Sequence, residues 1–157
     1  MTHPRRWHQP RQPTAARTEP EHRQAVQQHT LTLPNTAASV SLARRTAQMA
    51  FTTWGLPATS TVDAALLITT ELVANTVRHA ARSPQLDLTI ALDAQQLTIA
   101  VHDEDPVLPP WPPTATTPGG LRVLANLIHQ CGGQLNLHPD FAGRGKTVRA
   151  ALPRTPG

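Results

Sequence analysis

Three polar side chains recur at four-residue intervals in one segment of the chain: Glu71, Asn75 and His79. In a helix such positions share one face, because each residue advances the chain by about 100°. The other side of the segment carries apolar residues, namely Leu66, Val73, Val77 and Ala80. A carboxylate can act as a general base, and an amide oxygen suits a Mg²⁺ that carries phosphate. An ordinary amphipathic helix with a solvated polar face gives the same pattern, so this segment alone leaves both interpretations open.

Periodicity predicts the elements that must position these residues. We expect a first strand near residues 29–33, stopped by Pro34, and a helix over 37–54 that is capped by Thr36 and followed by Gly55. The remaining expected elements are a helix from Asp63 to about Arg82, a hairpin of strands 86–92 and 97–101, a helix from Gly119-Gly120 to about His129, and strands 134–138 and 146–152. This order predicts a two-layer α/β sandwich.

Residues 103–118 predict a long loop. The segment begins with acidic residues and then holds six prolines, which are incompatible with a helix or a central strand. Long loops in compact domains are often functional, so we expect a mobile lid.

Composition limits the classes of function. The 157 residues are enough for one domain, no apolar run is long enough for a membrane span, and the single Cys131 excludes an internal disulfide. We expect a cytoplasmic protein that does not enter a membrane.

The excess positive charge is concentrated in an N-terminal segment. Residues 1–28 are rich in Pro, Arg and Gln and predict a disordered basic tail, ahead of a folded domain over 29–153 and a short tail at 154–157. Three of the four net positive charges lie in the first 28 residues, which leaves the domain nearly neutral. A nucleic-acid surface on the domain is therefore not expected.

The segment from Gly143 to Thr147 has a superficial likeness to a phosphate-binding P-loop. A P-loop requires a glycine five residues before Gly145, where this chain has Asp140. A strand, and not a helix, is expected to follow, so Walker-type nucleotide binding is excluded.

Four segments in order resemble the motifs of the histidine-kinase-like (Bergerat) ATPases. They are Glu71-x-x-x-Asn75-x-x-x-His79-Ala80, the strand end Val101-His102-Asp103, the glycine-led helix start Gly119-Gly120-Leu121, and the final strand Gly145-Lys146-Thr147-Val148. The Trp54-Gly55-Leu56 junction and Arg78-His79-Ala80 are most similar to the actinobacterial anti-sigma-factor type. The resemblance implies a mixed, mainly antiparallel sheet that three helices cover on one face.

The resemblance also implies roles for individual residues. Glu71 would be the catalytic base, and Asn75 would chelate the Mg²⁺ that accompanies ATP. Asp103, backed by Thr147, would accept a hydrogen bond from the adenine amino group. The remaining residues implied in ATP binding are Arg78, His79, Gly119, Gly120 and Leu121. For Arg78 and His79, a solvated or structural role is the alternative.

Two departures from the family pattern concern charge. Glu104 and Asp105 add negative charge where relatives have glycines, which would oppose phosphate. No arginine stands between the glycines that begin the lid helix, and Arg122 is the nearest replacement.

The resemblance implies a regulatory serine/threonine kinase that binds Mg-ATP and acts on a sigma factor or on an antagonist protein, with homodimer formation left open. A catalytically silent interaction module of the same fold is the main alternative, and a weak ATPase is another. A nucleic-acid-associated factor that uses the arginine tail is the third class, and the near-neutral domain argues against it.

Overall fold

Three α-helices and five strands form the part of the chain that the computed structural model describes, which is residues 26–114, 116 and 119–154. In chain order the elements are β1 (Gln27–Pro34), α1 (Ala37–Thr53), α2 (Ser60–His79), β2 (Gln85–Leu92), β3 (Gln96–Asp103), α3 (Gly120–Gln130), β4 (Gln134–Pro139), a 3₁₀ turn (Phe141–Gly143) and β5 (Lys146–Pro153). Residues 1–25, most of the expected tail, and residues 155–157 lie outside the described residues.

The strands form one sheet in the order β1-β2-β3-β5-β4, with β3 at its centre. All four pairings are antiparallel, so the mixed sheet that the resemblance implied is purely antiparallel in the described part of the chain. The register between β3 and β5 sets Asp103 opposite Lys146 at one end of the sheet. That end is where the candidate site lies.

The helices cover one face of the sheet, and the apolar strand residues point toward them. Along β2 every second residue is buried, as a half-buried strand requires: Leu86, Leu88, Ile90 and Leu92. Helix α2 contacts both α1 and α3 and also packs on β3 and β5. The opposite sheet face carries polar pairs such as Thr30 with Thr89. This arrangement confirms the predicted two-layer sandwich with helices on one face.

Helix α2 differs at both ends from the prediction. It begins at Ser60 because the Thr59 side chain accepts a hydrogen bond from Val62 N, so Asp63 lies in the first turn and does not open the helix. It ends at His79, and not near Arg82, because Ala80 leaves helical geometry. The Asn35 amide then binds the carbonyl oxygen of Ala80, at 2.8 Å.

Two smaller differences concern the N-terminal part of the domain. Strand β1 begins at Gln27, two residues inside the expected tail, because it pairs with β2 over its whole length. Thr36 stands at the N-cap of α1 but its side chain makes no capping bond; Ser39 instead donates to the Pro34 carbonyl, at 2.6 Å. Within the described ranges, no helix has the length and apolar character needed to cross a bilayer.

Candidate functional site

The polar face of α2 lines a cavity of about 250 Å³ between α2, α3 and the ends of β3 and β5. Asn75 and His79 contribute their side chains to its wall, together with the buried Thr76 and Ala80. The Asn75 amide has no hydrogen-bond partner among the described residues, so it is available to a ligand. Of the predicted polar row, Asn75 and His79 therefore line the cavity, whereas Glu71 does not.

The glycines that begin α3 lie against the same face of α2. A side-chain carbon at Gly119 would lie 3.7 Å from His79 Nε2, and one at Gly120 would lie 3.2 Å from Glu71 Oε2. Gly119 has a φ of 87°, which favours glycine, and the helix has no side-chain cap. The amides of the first turn of α3 are therefore not capped by a side chain where the helix dipole favours an anion.

Arg78 and Glu71 form a loose ion pair beside these glycines. Arg78 Nη2 lies 3.9 Å from Glu71 Oε2, and both side chains are substantially exposed. A pair of this kind contributes little to stability, so both groups can be redirected by a ligand at small cost. Arg122, the cation considered as a replacement in the lid helix, is exposed and does not line the cavity.

A buried ion pair closes the deep end of the cavity. Lys146 Nζ donates to Asp103 Oδ1 at 2.8 Å and to the Asp105 carbonyl at 3.0 Å. The exposed fraction of each residue is small, 2% for Asp103 and 7% for Lys146. Both residues line the cavity, so a ligand that reaches this end meets a carboxylate and an ammonium together.

The structure does not bring Thr147 to this site. In the register of β3 and β5, Thr147 pairs with His102 and Lys146 pairs with Asp103. Successive strand residues point to opposite faces, so Thr147 lies on the open face of the sheet, away from Asp103. The implied backing of Asp103 by Thr147 is therefore wrong for this chain, and Lys146 holds that position. The alternation with the buried Val148 and Ala150 was the sequence signal that could have identified Lys146.

Asp105 is a structural residue and does not direct its charge freely into the site. Its carboxylate accepts hydrogen bonds from Arg82 N at 3.0 Å and from Val107 N at 2.9 Å. The bond from the Arg82 amide, followed by that from Val107, lowers the pKa of the Asp105 carboxyl below its ordinary value. Glu104 is exposed. Both carboxylates were expected to oppose phosphate binding. For Asp105 this effect is reduced, because its carboxylate is already bound by the amides of Arg82 and Val107.

The loop after β3 forms one wall of the cavity. Val107, Leu108, Pro109 and Pro110 line it opposite α2, and Leu121 of α3 completes the apolar lining near them. Val107 and Leu108 remain largely exposed to solvent. Pro118 and two other residues of the expected lid lie outside the described residues, and the mobility of the loop stays a prediction.

Most of the chain matches a known protein family. Residues 33–150 match the model of the histidine kinase-like ATPase domain. The chain therefore belongs to the histidine kinase-like ATPase family, a membership that implies ATP binding. The antiparallel sheet with three helices on one face is the fold expected of that family. A search of curated proteins gives no match.

Two solved structures are similar to the chain. The histidine kinase domain of the blue-light activated histidine kinase from Erythrobacter litoralis EL346 shares 22% identity over 59% of this chain and 44% of its own length, with a TM-score of 0.45. The chain thus spans less than half of that protein. The catalytic domain of the histidine kinase ThkA shares 14% identity over 82% of this chain and 99% of its own length, with a TM-score of 0.48.

The donor set fits the nucleotide and metal that the family implies. The unpartnered Asn75 amide supplies an oxygen of the kind that Mg²⁺ accepts, and the glycine-led start of α3 approaches the same face. No group of three or more His, Cys, Asp or Glu that could hold a metal by itself is present among the described residues. A metal here would therefore depend on the phosphates for further ligands.

Proposed function

We propose that this protein binds Mg-ATP in the cavity beside α2 and transfers the terminal phosphoryl group to a serine or threonine of a protein antagonist, so that a sigma factor is controlled by binding and phosphorylation. The observation that carries the proposal is one face of α2, on which the unpartnered Asn75 lines the cavity and Glu71 lies against Gly120 at the start of α3. The resemblance of the motifs to the anti-sigma-factor type supports the choice of acceptor.

The cavity has separate regions suited to the two ends of ATP. Asp103 and Lys146 at the deep end are polar groups that can recognise a base, and the apolar loop and Leu121 can cover its ring. At the α2–α3 junction, the uncapped helix start and His79 suit phosphate oxygens. Asn75 lies on α2 between the positions of Glu71 and His79 and would hold the Mg²⁺, which neutralises phosphate charge when bound.

Glu71 is the proposed general base of the transfer. Its carboxylate accepts the proton of the acceptor hydroxyl, the hydroxyl oxygen forms a bond to the γ-phosphorus, and the bond from that phosphorus to the ADP oxygen breaks. The Glu71 side chain is 40% exposed, which leaves it within reach of a second protein. Arg78, at 3.9 Å, is placed to contact the phosphoryl oxygens or to release Glu71 when the acceptor arrives.

Glu71→Gln separates binding from chemistry and is the test of this proposal. The amide is nearly isosteric, so we expect ATP affinity to be retained while the rate of phosphoryl transfer falls by about 10² to 10⁴, the usual contribution of a positioned base. The measurement is mass-spectrometric detection of serine or threonine phosphate on the antagonist that co-purifies with the parent protein. Asp63→Asn, an exposed carboxylate at the far end of α2, is the matched control and should leave the rate unchanged.

The same assay distinguishes the kinase from an interaction module. If the parent protein binds ATP and engages its partner, yet no phosphate is transferred, the kinase proposal is wrong. The protein would then be a nucleotide-dependent binding protein of the same fold.

A further inference from the structure

Lys146 is the one buried cation among the described residues, and the implied family roles leave it unused. Two of its three N–H donors are satisfied, by Asp103 Oδ1 and by the Asp105 carbonyl. Its third donor has no partner within the described chain, although the residue lines the cavity. A buried ammonium with a spare donor at a cavity wall is placed to bind a ligand acceptor.

Asp103 presents the complementary group beside it. Both hydrogen bonds to this carboxylate, from Lys146 Nζ and from Asp105 N, fall on Oδ1. Oδ2 has no partner among the described residues. The deep end of the cavity therefore offers one acceptor and one donor side by side.

We propose that Lys146 is a second base-reading residue, which donates to adenine N1 while Asp103 accepts from the adenine N6 amino group. This inference rests on the proposed ATP binding and adds the specificity of the same site. The ring edge of adenine carries a donor at N6 next to an acceptor at N1, which matches the pair. Guanine in the same orientation presents a carbonyl oxygen to Asp103 and an N–H to Lys146, so both contacts become unfavourable.

The ion pair also explains why a lysine can occupy this wall. Burying a lone ammonium is strongly unfavourable, and the Asp103 carboxylate at 2.8 Å offsets much of that penalty. The 2.8 Å contact between the two side chains holds the donor and the acceptor in position. A base that binds does not have to order them.

Nucleotide analogues test Lys146 without changing the protein. The full chain is titrated with each nucleotide by calorimetry in the presence of Mg²⁺. We expect its affinity for 1-deaza-ATP, which lacks only the N1 acceptor, to be about 10- to 100-fold lower than its affinity for ATP. 7-Deaza-ATP keeps the edge that the pair reads and should bind like ATP. GTP should bind more weakly than ATP.

A variant pair supplies the second measurement. In Lys146→Met, ATP and 1-deaza-ATP should bind with equal affinity, because the donor is gone. Arg149→Met is the matched control: this cation lies on the same strand but bonds Thr98 on the open sheet face, so the parent discrimination should remain.

The outcomes separate this inference from the proposed function. Equal binding of ATP and 1-deaza-ATP to the parent protein overturns the role of Lys146 and leaves ATP binding intact. Absence of any ATP binding overturns the proposed function, and the inference with it. Loss of discrimination in Arg149→Met as well as in Lys146→Met contradicts a specific contact with the base.

Discussion

Asp103 has two functions, because the carboxylate that can bind the nucleobase also neutralises a buried lysine. We expect Asp103→Ala to lower the free energy of unfolding by about 3 to 5 kcal/mol, since it leaves the Lys146 ammonium buried without its partner. Urea unfolding measures the loss. The Asp103→Ala substitution would also weaken nucleotide binding, by about 1 to 3 kcal/mol for the recognition contact alone.

A double variant separates the cost of an unpaired buried charge from the loss of the contact with the base. Asp103→Leu combined with Lys146→Met removes both charges, so most of the lost stability should return while base recognition does not. If the double variant is as unstable as Asp103→Ala, the ion pair is not the source of the loss. Asp63→Ala, an exposed carboxylate of α2, is the control and should change stability by less than about 1 kcal/mol.

Asp105 makes stability depend on pH in the acid range. Its folded pKa is depressed below the ordinary value of 3.8, first by the Arg82 amide. A depressed carboxyl contributes stability above its unfolded pKa, and this contribution is lost as the pH falls through the folded pKa. Asp105→Asn should therefore destabilise the protein by about 1 to 3 kcal/mol near pH 7.

The difference in free energy of unfolding between the parent protein and Asp105→Asn should become smaller as the pH falls below about 3.8. Chemical unfolding of both proteins at a series of pH values measures it. A stability gap that stays constant down to the lowest pH at which both proteins fold would show that the ionised carboxylate is not what holds the loop.

The loop after β3 is the element on which access to the cavity depends. Its residues Val107 to Pro110 form a wall, and Trp111 stands half-buried directly after them. If the loop closes as a lid, saturating Mg-ATP should change the Trp111 fluorescence and slow hydrogen exchange of the loop amides. With Trp7 replaced by Phe in both proteins, the fluorescence change should be absent in Trp111→Phe, because the remaining Trp54 stacks on His29 away from the cavity. A parent spectrum and exchange pattern that nucleotide leaves unaltered would contradict the lid.

Sequence periodicity predicts most elements because each strand is buried on one side only. The alternation along β2 and β3 and the glycines around α3 carry enough information to place them. The ends of α2 were misplaced because they depend on Thr59 and on the distant Asn35 amide, which binds the Ala80 carbonyl. Contacts between residues far apart in sequence are not visible in a local pattern.

The relative positions of site residues within one helix could be predicted from the sequence, whereas the partner of Asp103 on another strand could not. Glu71, Asn75 and His79 share a helix face by simple spacing, so their proximity could be predicted. The partner of Asp103 depends on the register of β5, where a shift of one residue exchanges Lys146 for Thr147. The resemblance implied Thr147, whereas the alternation of buried residues in this strand favours Lys146.

For the protein as a whole, family membership and geometry agree on nucleotide binding, whereas phosphoryl transfer and its acceptor protein are proposed. The central claim is that Mg-ATP binds through the α2 face. Asn75 is the test residue, because its amide lines the cavity without a partner in the described part of the chain. Asn126→Ala on the exposed side of α3 is the control.

Calorimetric titration of ATP, with Mg²⁺ and with a chelator, tests this claim most directly. We predict that the parent protein and Asn126→Ala bind ATP more tightly with Mg²⁺, and that Asn75→Ala binds with the same lower affinity in both conditions. A parent protein that does not bind ATP, or an Asn75→Ala protein that keeps the full metal dependence, would contradict the account.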